Sequence, residues 1–176
     1  MWNRKYLGRE NLIKNKGEKM VKVKSYANIA IVKYWGKKDA KKMIPATSSI
    51  SLTLNDMFTE TEMEFISGED IKISVEKEMK NGDYKDKFSN MTDLFYLNGE
   101  LQDSVHTEKI SKVVDLFREN RSQKVKISTT NNMPTAAGLS SSSSGLSAVI
   151  KACNKLFGKN YTQSELAQIS KFGSGS

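Results

Sequence analysis

Apolar positions between Leu146 and Phe157 recur at helical spacing. Leu146, Val149, Ile150, Cys153, Leu156 and Phe157 make one stripe, which predicts an amphipathic helix. Other stretches alternate, as half-exposed strands do. Val21 and Val23 stand between Lys22 and Lys24, and Ile50-Ser51-Leu52-Thr53-Leu54 follows the same rule. Between Thr59 and Phe65, Glu60, Glu62 and Glu64 share one face, and Ile71, Ile73 and Val75 alternate again. The chain from Lys124 to Thr130 is strand-like. Ile29-Ala30-Ile31-Val32 is a continuous apolar run, read as a buried strand set off by a turn at Ser25-Tyr26-Ala27-Asn28. Leu94-Phe95-Tyr96-Leu97, then Asn98-Gly99, then Glu100-Leu101 predicts a hairpin with a tight turn. Ile110, Val113, Val114 and Phe117 mark a helix over about 104–118. Thr162 and Glu165 form a capping box that opens a short helix with Leu166 and Ile169 inward. Residues 76–90 read as charged loop. The sum is an antiparallel sheet with one wet side, accompanied by helices.

Composition narrows the partners. The chain has 176 residues, enough for one domain or part of a larger one, and a formal net charge of +8. A basic balance suits nucleic acid, an anionic surface or phosphorylated small molecules. Half of that charge lies in residues 1–19, which hold six Lys/Arg against two acids. No nucleic-acid motif accompanies it, so the reading carries no nucleic acid. Residues 1–19 are read as a basic leader, and 20–176 as the domain. Lys16-Gly17-Glu18-Lys19-Met20 can be encoded by a purine-rich stretch like a ribosome-binding site, which makes Met20 the expected natural start. The one cysteine, Cys153, lies on the helical stripe; there is no disulfide or zinc spacing, and a reducing, cytoplasmic setting fits. No run of 18 apolar residues exists, so no membrane span is expected. His106 has no partner near in sequence and is read as structural or exposed.

Three segments carry candidate chemistry. Ser140, Ser141, Ser142, Ser143 and Ser144 stand where the long helix begins. The first helical turn offers unpartnered backbone N–H groups and the positive end of the dipole. Small residues ahead of it let an anion approach, and hydroxyls add donors, so the run reads as a phosphate cradle rather than a linker. No Gly-Lys-Ser/Thr closes it, so it is not a Walker A loop. Lys33 and Lys37 are four apart beside Tyr34 and Trp35, and two ammonium groups there suit an anionic ligand. Gly173-Ser174-Gly175-Ser176 is a second segment of free amides and hydroxyls.

Together these stretches resemble one family. Asn28-Ile29-Ala30-Ile31-Val32-Lys33-Tyr34-Trp35-Gly36-Lys37-Lys38-Asp39, the stretch from Asn132 through Pro134 to Ser144, and Gly173-Ser174-Gly175-Ser176 are similar to mevalonate diphosphate decarboxylase, of the GHMP kinase superfamily. The stretch Thr47 to Leu54 and the Leu97-Asn98-Gly99 turn fit as well. The Lys-Tyr-Trp-Gly-Lys motif is specific to the decarboxylase; the Pro-Thr-Ala-Ala-Gly-Leu loop marks the superfamily. The resemblance implies an α+β, two-layer sandwich of mostly antiparallel sheet with helices on one face, the GHMP kinase N-terminal domain. It implies ATP-dependent decarboxylation of mevalonate 5-diphosphate to isopentenyl diphosphate, with ADP, phosphate and CO2 released. By position, Tyr34, Trp35, Gly36, Lys37, Ser174, Gly175 and Ser176 would hold the substrate diphosphate, and Lys33 would sit by the transferred phosphoryl. Pro134, Thr135, Ala136, Ala137, Gly138 and Leu139, with Ser140 to Ser144, would wrap the ATP phosphates, bridged by Mg2+. Protein ligands to the metal are not assigned. The family's catalytic aspartate, and an arginine after the Gly-Ser-Gly-Ser segment, have no counterpart here. The expectation is therefore an N-terminal portion, inactive alone, whose exposed apolar edge pairs it into a homodimer. A GHMP small-molecule kinase is the competing enzyme reading; a nucleotide-binding fragment without catalysis is another.

Overall fold

In the computed structural model, residues 14–15, 18–33, 36–39, 44–78, 91–133 and 141–173 are described. The alternating stretches become one sheet of six strands in the order β1-β2-β5-β8-β6-β7. These are β1 (Lys14–Asn15), β2 (Glu18–Val32), β5 (Ile50–Ile66), β6 (Leu94–Leu97), β7 (Glu100–Leu101) and β8 (Lys124–Asn131). A separate two-stranded sheet joins β3 (Lys37–Asp39) to β4 (Ile44–Pro45). The main sheet is antiparallel except where β6 runs parallel to β8. Among the described residues four helices accompany it: α1 (Gly68–Glu78), α2 (Ser104–Val114), α3 (Ser141–Leu156) and α4 (Gln163–Gly173).

One face of the sheet is wet. Lys22 Nζ lies 2.6 Å from Glu60 and 2.9 Å from Glu62, and Lys126 Nζ lies 3.3 Å from Glu64. The other face is the core. Val21, Met63, Val125 and Ile127 pack there with Val149, Ile150, Cys153 and Leu156 of α3. The predicted stripe of the long helix is thus the buried one. Burial pushes the Cys153 thiol far above its ordinary value, so it stays protonated and inert. The hairpin forms as expected: Asn98 and Gly99 both take positive φ, 53° and 88°, as a two-residue turn of this kind demands. The Thr162 box also forms, with Glu165 accepting from the Thr162 amide at 2.7 Å and returning its own amide at 3.4 Å. His106 is exposed and bonds Asp103 at 2.8 Å. The strand β1 pairs with Glu18 and Lys19, so β2 crosses the expected boundary at residue 20.

Three expectations are corrected. The Ile71, Ile73 and Val75 alternation belongs to helix α1, not a strand. The overlooked signal was Ser67 followed by Asp70, a capping box. Asp70 accepts from the Ser67 hydroxyl at 2.6 Å and its amide at 2.8 Å, and those bonds hold the carboxyl below its usual range. The second correction is the turn at residues 25–28, which is absent: β2 runs through it as a single strand. Its partner does the bending. Tyr26 pairs with Phe58 but Asn28 pairs with Thr53, so four residues of β5 bulge opposite Ala27.

The third correction is Ile29-Ala30-Ile31-Val32, which is not buried. Ile29 is 39% exposed, Ile31 62%, Val32 49%, and across from them Ile50 is 61% and Leu52 58% exposed. Ile29 continues the odd-numbered series of Val21, Val23, Ser25 and Ala27, all buried, and an irregularity at Ile31 then sets Val32 opposite Ile50. The exposed residues lose their cover because α3 begins at the level of Thr59, and β8 stops pairing there too. Beyond that level β2 and β5 run on as a two-stranded ribbon with one bare apolar face.

Candidate functional site

The core face changes character along its length, row by row. Val21, Met63 and Ile127 form one row across β2, β5 and β8; Val23, Thr61 and Thr129 the next; Ser25, Thr59 and Asn131 the third. The first row is apolar. In the second, the Thr61 and Thr129 hydroxyls bond at 3.0 Å. The third is wholly polar, and the first turn of α3 rests on it. Buried polar groups must be paired, and here they are. Thr59 Oγ1 donates to Asn131 Oδ1 at 2.7 Å and lies 2.8 Å from Ser144 Oγ.

The end of β8 is held from both sides. The Asn131 amide donates to Asn98 Oδ1 at 2.9 Å, so the hairpin turn reaches this place too. Asn132 ties down the bulge of β5: its Nδ2 donates to the Asp56 carbonyl at 2.7 Å, and its Oδ1 accepts from the Phe58 amide at 2.7 Å. Sequence reasoning took Asn131 and Asn132 only as a polar turn. Consecutive asparagines at a strand end were the available signal, since their side chains can replace ladder partners.

The serine run opens α3 as expected. Ser142 and Ser143 are exposed on the first turn, whereas Ser144 is buried. No acidic residue occupies that turn, so the helix dipole meets no competing carboxylate. Residues 134–140, expected to lead into it, lie outside the described residues, as does the Ser141 side chain.

Helix α4 runs antiparallel to α3. A groove of about 170 Å³ between them is lined by Ser143, Ser147 and Lys151 of α3 and by Gln163, Ala167 and Ser170 of α4. Ser174, Gly175 and Ser176, which follow α4, lie outside the described residues. The lysine segment sits elsewhere. Lys33 is exposed at the tip of the ribbon. It is eight residues beyond Ser25, the partner of Thr59, which puts it at most roughly 26 Å along the strand from the α3 turn. Gly36 takes φ 74°, a backbone that favours glycine, and its carbonyl accepts from the Ala46 amide at 3.1 Å. Tyr34, Trp35 and the Lys37 side chain lie outside the described residues. Among the described residues, no cluster of His, Cys, Asp or Glu fit for a metal occurs. A larger cavity, about 360 Å³ along α2, lies away from both.

A mostly antiparallel sheet covered on one face by helices, with a serine-led helix starting over its polar end, defines the N-terminal domain of a GHMP-type fold. The family model for the diphosphomevalonate decarboxylase-like N-terminal domain matches residues 25–95 and 83–176, and the chain belongs to that family. It is 36% identical over 152 residues to the diphosphomevalonate decarboxylase of Candida albicans, covering 85% of this chain and 39% of the relative. The mevalonate pyrophosphate decarboxylase of Streptococcus pyogenes superposes with a TM-score of 0.70 at 48% identity, covering 93% of this chain and 45% of that one. The mevalonate diphosphate decarboxylase of Enterococcus faecalis gives 0.64 at 35%, covering 89% and 43%. A solved complex with MVAPP, AMPPCP and magnesium gives 0.63 at 35%, covering 89% and 42%. The chain spans well under half the length of each of these relatives.

Proposed function

We infer that this chain binds ATP and the diphosphate of mevalonate 5-diphosphate, as the N-terminal part of the machinery that decarboxylates it to isopentenyl diphosphate. The family match carries the reading, because it runs from residue 25 to 176 and takes in the lysine segment, the serine turn and the Gly-Ser segment together. The solved relative holding AMPPCP and magnesium supports the nucleotide and its metal.

Phosphoryl transfer depends chiefly on positioning and charge neutralisation. Lys33 would neutralise the transferred phosphoryl, and its exposed place at the ribbon tip leaves its ammonium accessible. Tyr34, Trp35, Gly36 and Lys37, with Ser174, Gly175 and Ser176, would hold the substrate diphosphate. Pro134 to Leu139 and the serines after them would wrap the ATP phosphates, with Ser141 and Ser142 giving hydroxyl contacts. An acid-free first turn on a helix of 16 residues fits a polyanion. Magnesium, where bound, would offset negative charge on the phosphates held by the serines that open α3. The reading places the chain in the cytoplasm, which accords with its one buried free thiol.

Titration calorimetry tests this. ATP with Mg2+ should bind saturably, with a Kd in the range of roughly 1 μM to 1 mM usual for such ligands. No heat of binding at millimolar ATP would sink the proposal. The same reading includes a homodimer through the bare ribbon face. Sedimentation equilibrium should find a dimer that Leu52→Lys dissociates; a monomer at all concentrations would refute it.

A further inference from the structure

We propose that Thr59 is a positioning residue for the polyphosphate site, acting through Ser144 and Asn131. The inference rests on the function proposed above and goes further, by naming a residue on β5 that no motif includes. Thr59 is fully buried, and its hydroxyl has a single proton. That proton goes to Asn131 Oδ1 at 2.7 Å. The 2.8 Å contact with Ser144 must then be supplied by the Ser144 hydroxyl. Ser144, which is 3% exposed, therefore turns its proton inward to the sheet. It anchors the helix instead of donating to an anion, and phosphate binding falls to the backbone amides and to serines on the exposed side of the turn.

The relay spans the right elements. Asn131 ends β8 and Ser144 stands in the first turn of α3, so Thr59 ties together the two elements flanking residues 134–140. Asn131 is itself held by Asn98, so the hairpin turn, β8, β5 and α3 share one hydrogen-bonded chain. An anion at a helix N-terminus is bound by the direction of its amides, and an unanchored first turn frays. Fixing that turn before the ligand arrives removes an ordering cost from binding. The methyl of Thr59 does a separate job: Cγ2 lies 4.0 Å from where a Cβ on Gly145 would be, so it packs beneath the same turn. Thr59→Val keeps that methyl and shape but deletes the relay. Thr59→Ser keeps the relay and loses only the methyl.

Two measurements on the full chain separate the possibilities. In calorimetry with ATP and Mg2+, Thr59→Val should weaken binding by about tenfold, as expected for a lost buried hydroxyl bond. Thr59→Ser should stay within about threefold of wild type, and Ser144→Ala should match Thr59→Val, with no further loss in the double variant. In amide hydrogen exchange without ligand, residues 145–148, whose amides make the first bonds of α3, should exchange about tenfold faster in Thr59→Val and be restored in Thr59→Ser. Equal loss in the serine and valine variants, additive losses with Ser144→Ala, or unchanged exchange would each overturn the relay. If wild type binds no nucleotide, the proposed function falls, while the exchange comparison still decides whether Thr59 anchors the turn.

Discussion

Asp93→Ala is expected to destabilise the fold by about 3–5 kcal/mol, the cost of stranding a buried charge. Asp93 is fully buried and immediately precedes β6. Its carboxylate accepts from the Ser111 hydroxyl at 2.6 Å, from Arg118 Nη2 at 2.5 Å and Nη1 at 3.1 Å, and from the Val125 amide at 2.9 Å. One side chain thus joins α2, the turn after it, and the starts of β6 and β8. The Arg118 side chain is 2% exposed. Its Nε also pairs with Asp115 at 2.8 Å, but without an aligned hydrogen bond, so Asp115 offsets only part of what Asp93 supplies. Urea denaturation followed by circular dichroism checks this. A loss below about 1 kcal/mol would mean the pair is not structural. Replacing both Asp93 and Arg118 with apolar residues should cost less than Asp93→Ala alone, because no orphaned charge remains.

Phe117→Ala should cost about as much, roughly 3–5 kcal/mol, through the cavity it leaves. Phe117 is 1% exposed and meets Tyr161 edge to face, with ring centroids 5.9 Å apart at 63°. Tyr161 lies in the connection from α3 to α4, where its amide donates to Asn154 Oδ1 at 2.9 Å and its carbonyl accepts from Asn154 Nδ2 at 3.1 Å. The ring of Phe117 therefore pins that connection to the turn after α2. Hydrogen exchange should detect the loss first in α4, ahead of global unfolding. Uniform acceleration through the whole sheet would argue that Phe117 supports the core generally.

The sequence was most readable where period and burial agree. The stripe from Leu146 to Phe157 named the buried side of α3, and the Glu60-Glu62-Glu64 alternation named the wet side of β5, because each pattern faces one environment along its length. Asn98-Gly99 was legible because its backbone leaves few other residues a choice. The failures have a common cause: a local pattern was settled by something distant. Ile29 and Ile31 read as core but extend past the start of α3, a fact fixed by the register of β2 with β5. Ile71, Ile73 and Val75 alternate like a strand, yet the cap between Ser67 and Asp70 commits them to a helix. Thr59 and Thr61 alternate with glutamates and so looked like ordinary inward strand positions. The role of Thr59 depends on Asn131 and Ser144, and that of Thr61 on Thr129, all far along the chain, and no local period encodes their approach. The candidate site divides the same way: its serine turn is local and was read directly, but the polar row beneath it is assembled from three strands.

The place of β8 in the sheet bears on how the chain assembles. β8, the last of the described strands in chain order, lies in the middle, between β5 and β6. Before it arrives, the early antiparallel pair and the later hairpin are two unconnected pieces, and neither has a hydrophobic layer to close against. Inserting β8 welds them into one surface, and α3, emerging from the ribosome directly afterwards, seals that surface. Pairing over such long loops carries a large closure entropy and is slow. The sheet therefore stays open until β8 joins it, and the polar row under α3 is completed in that same step.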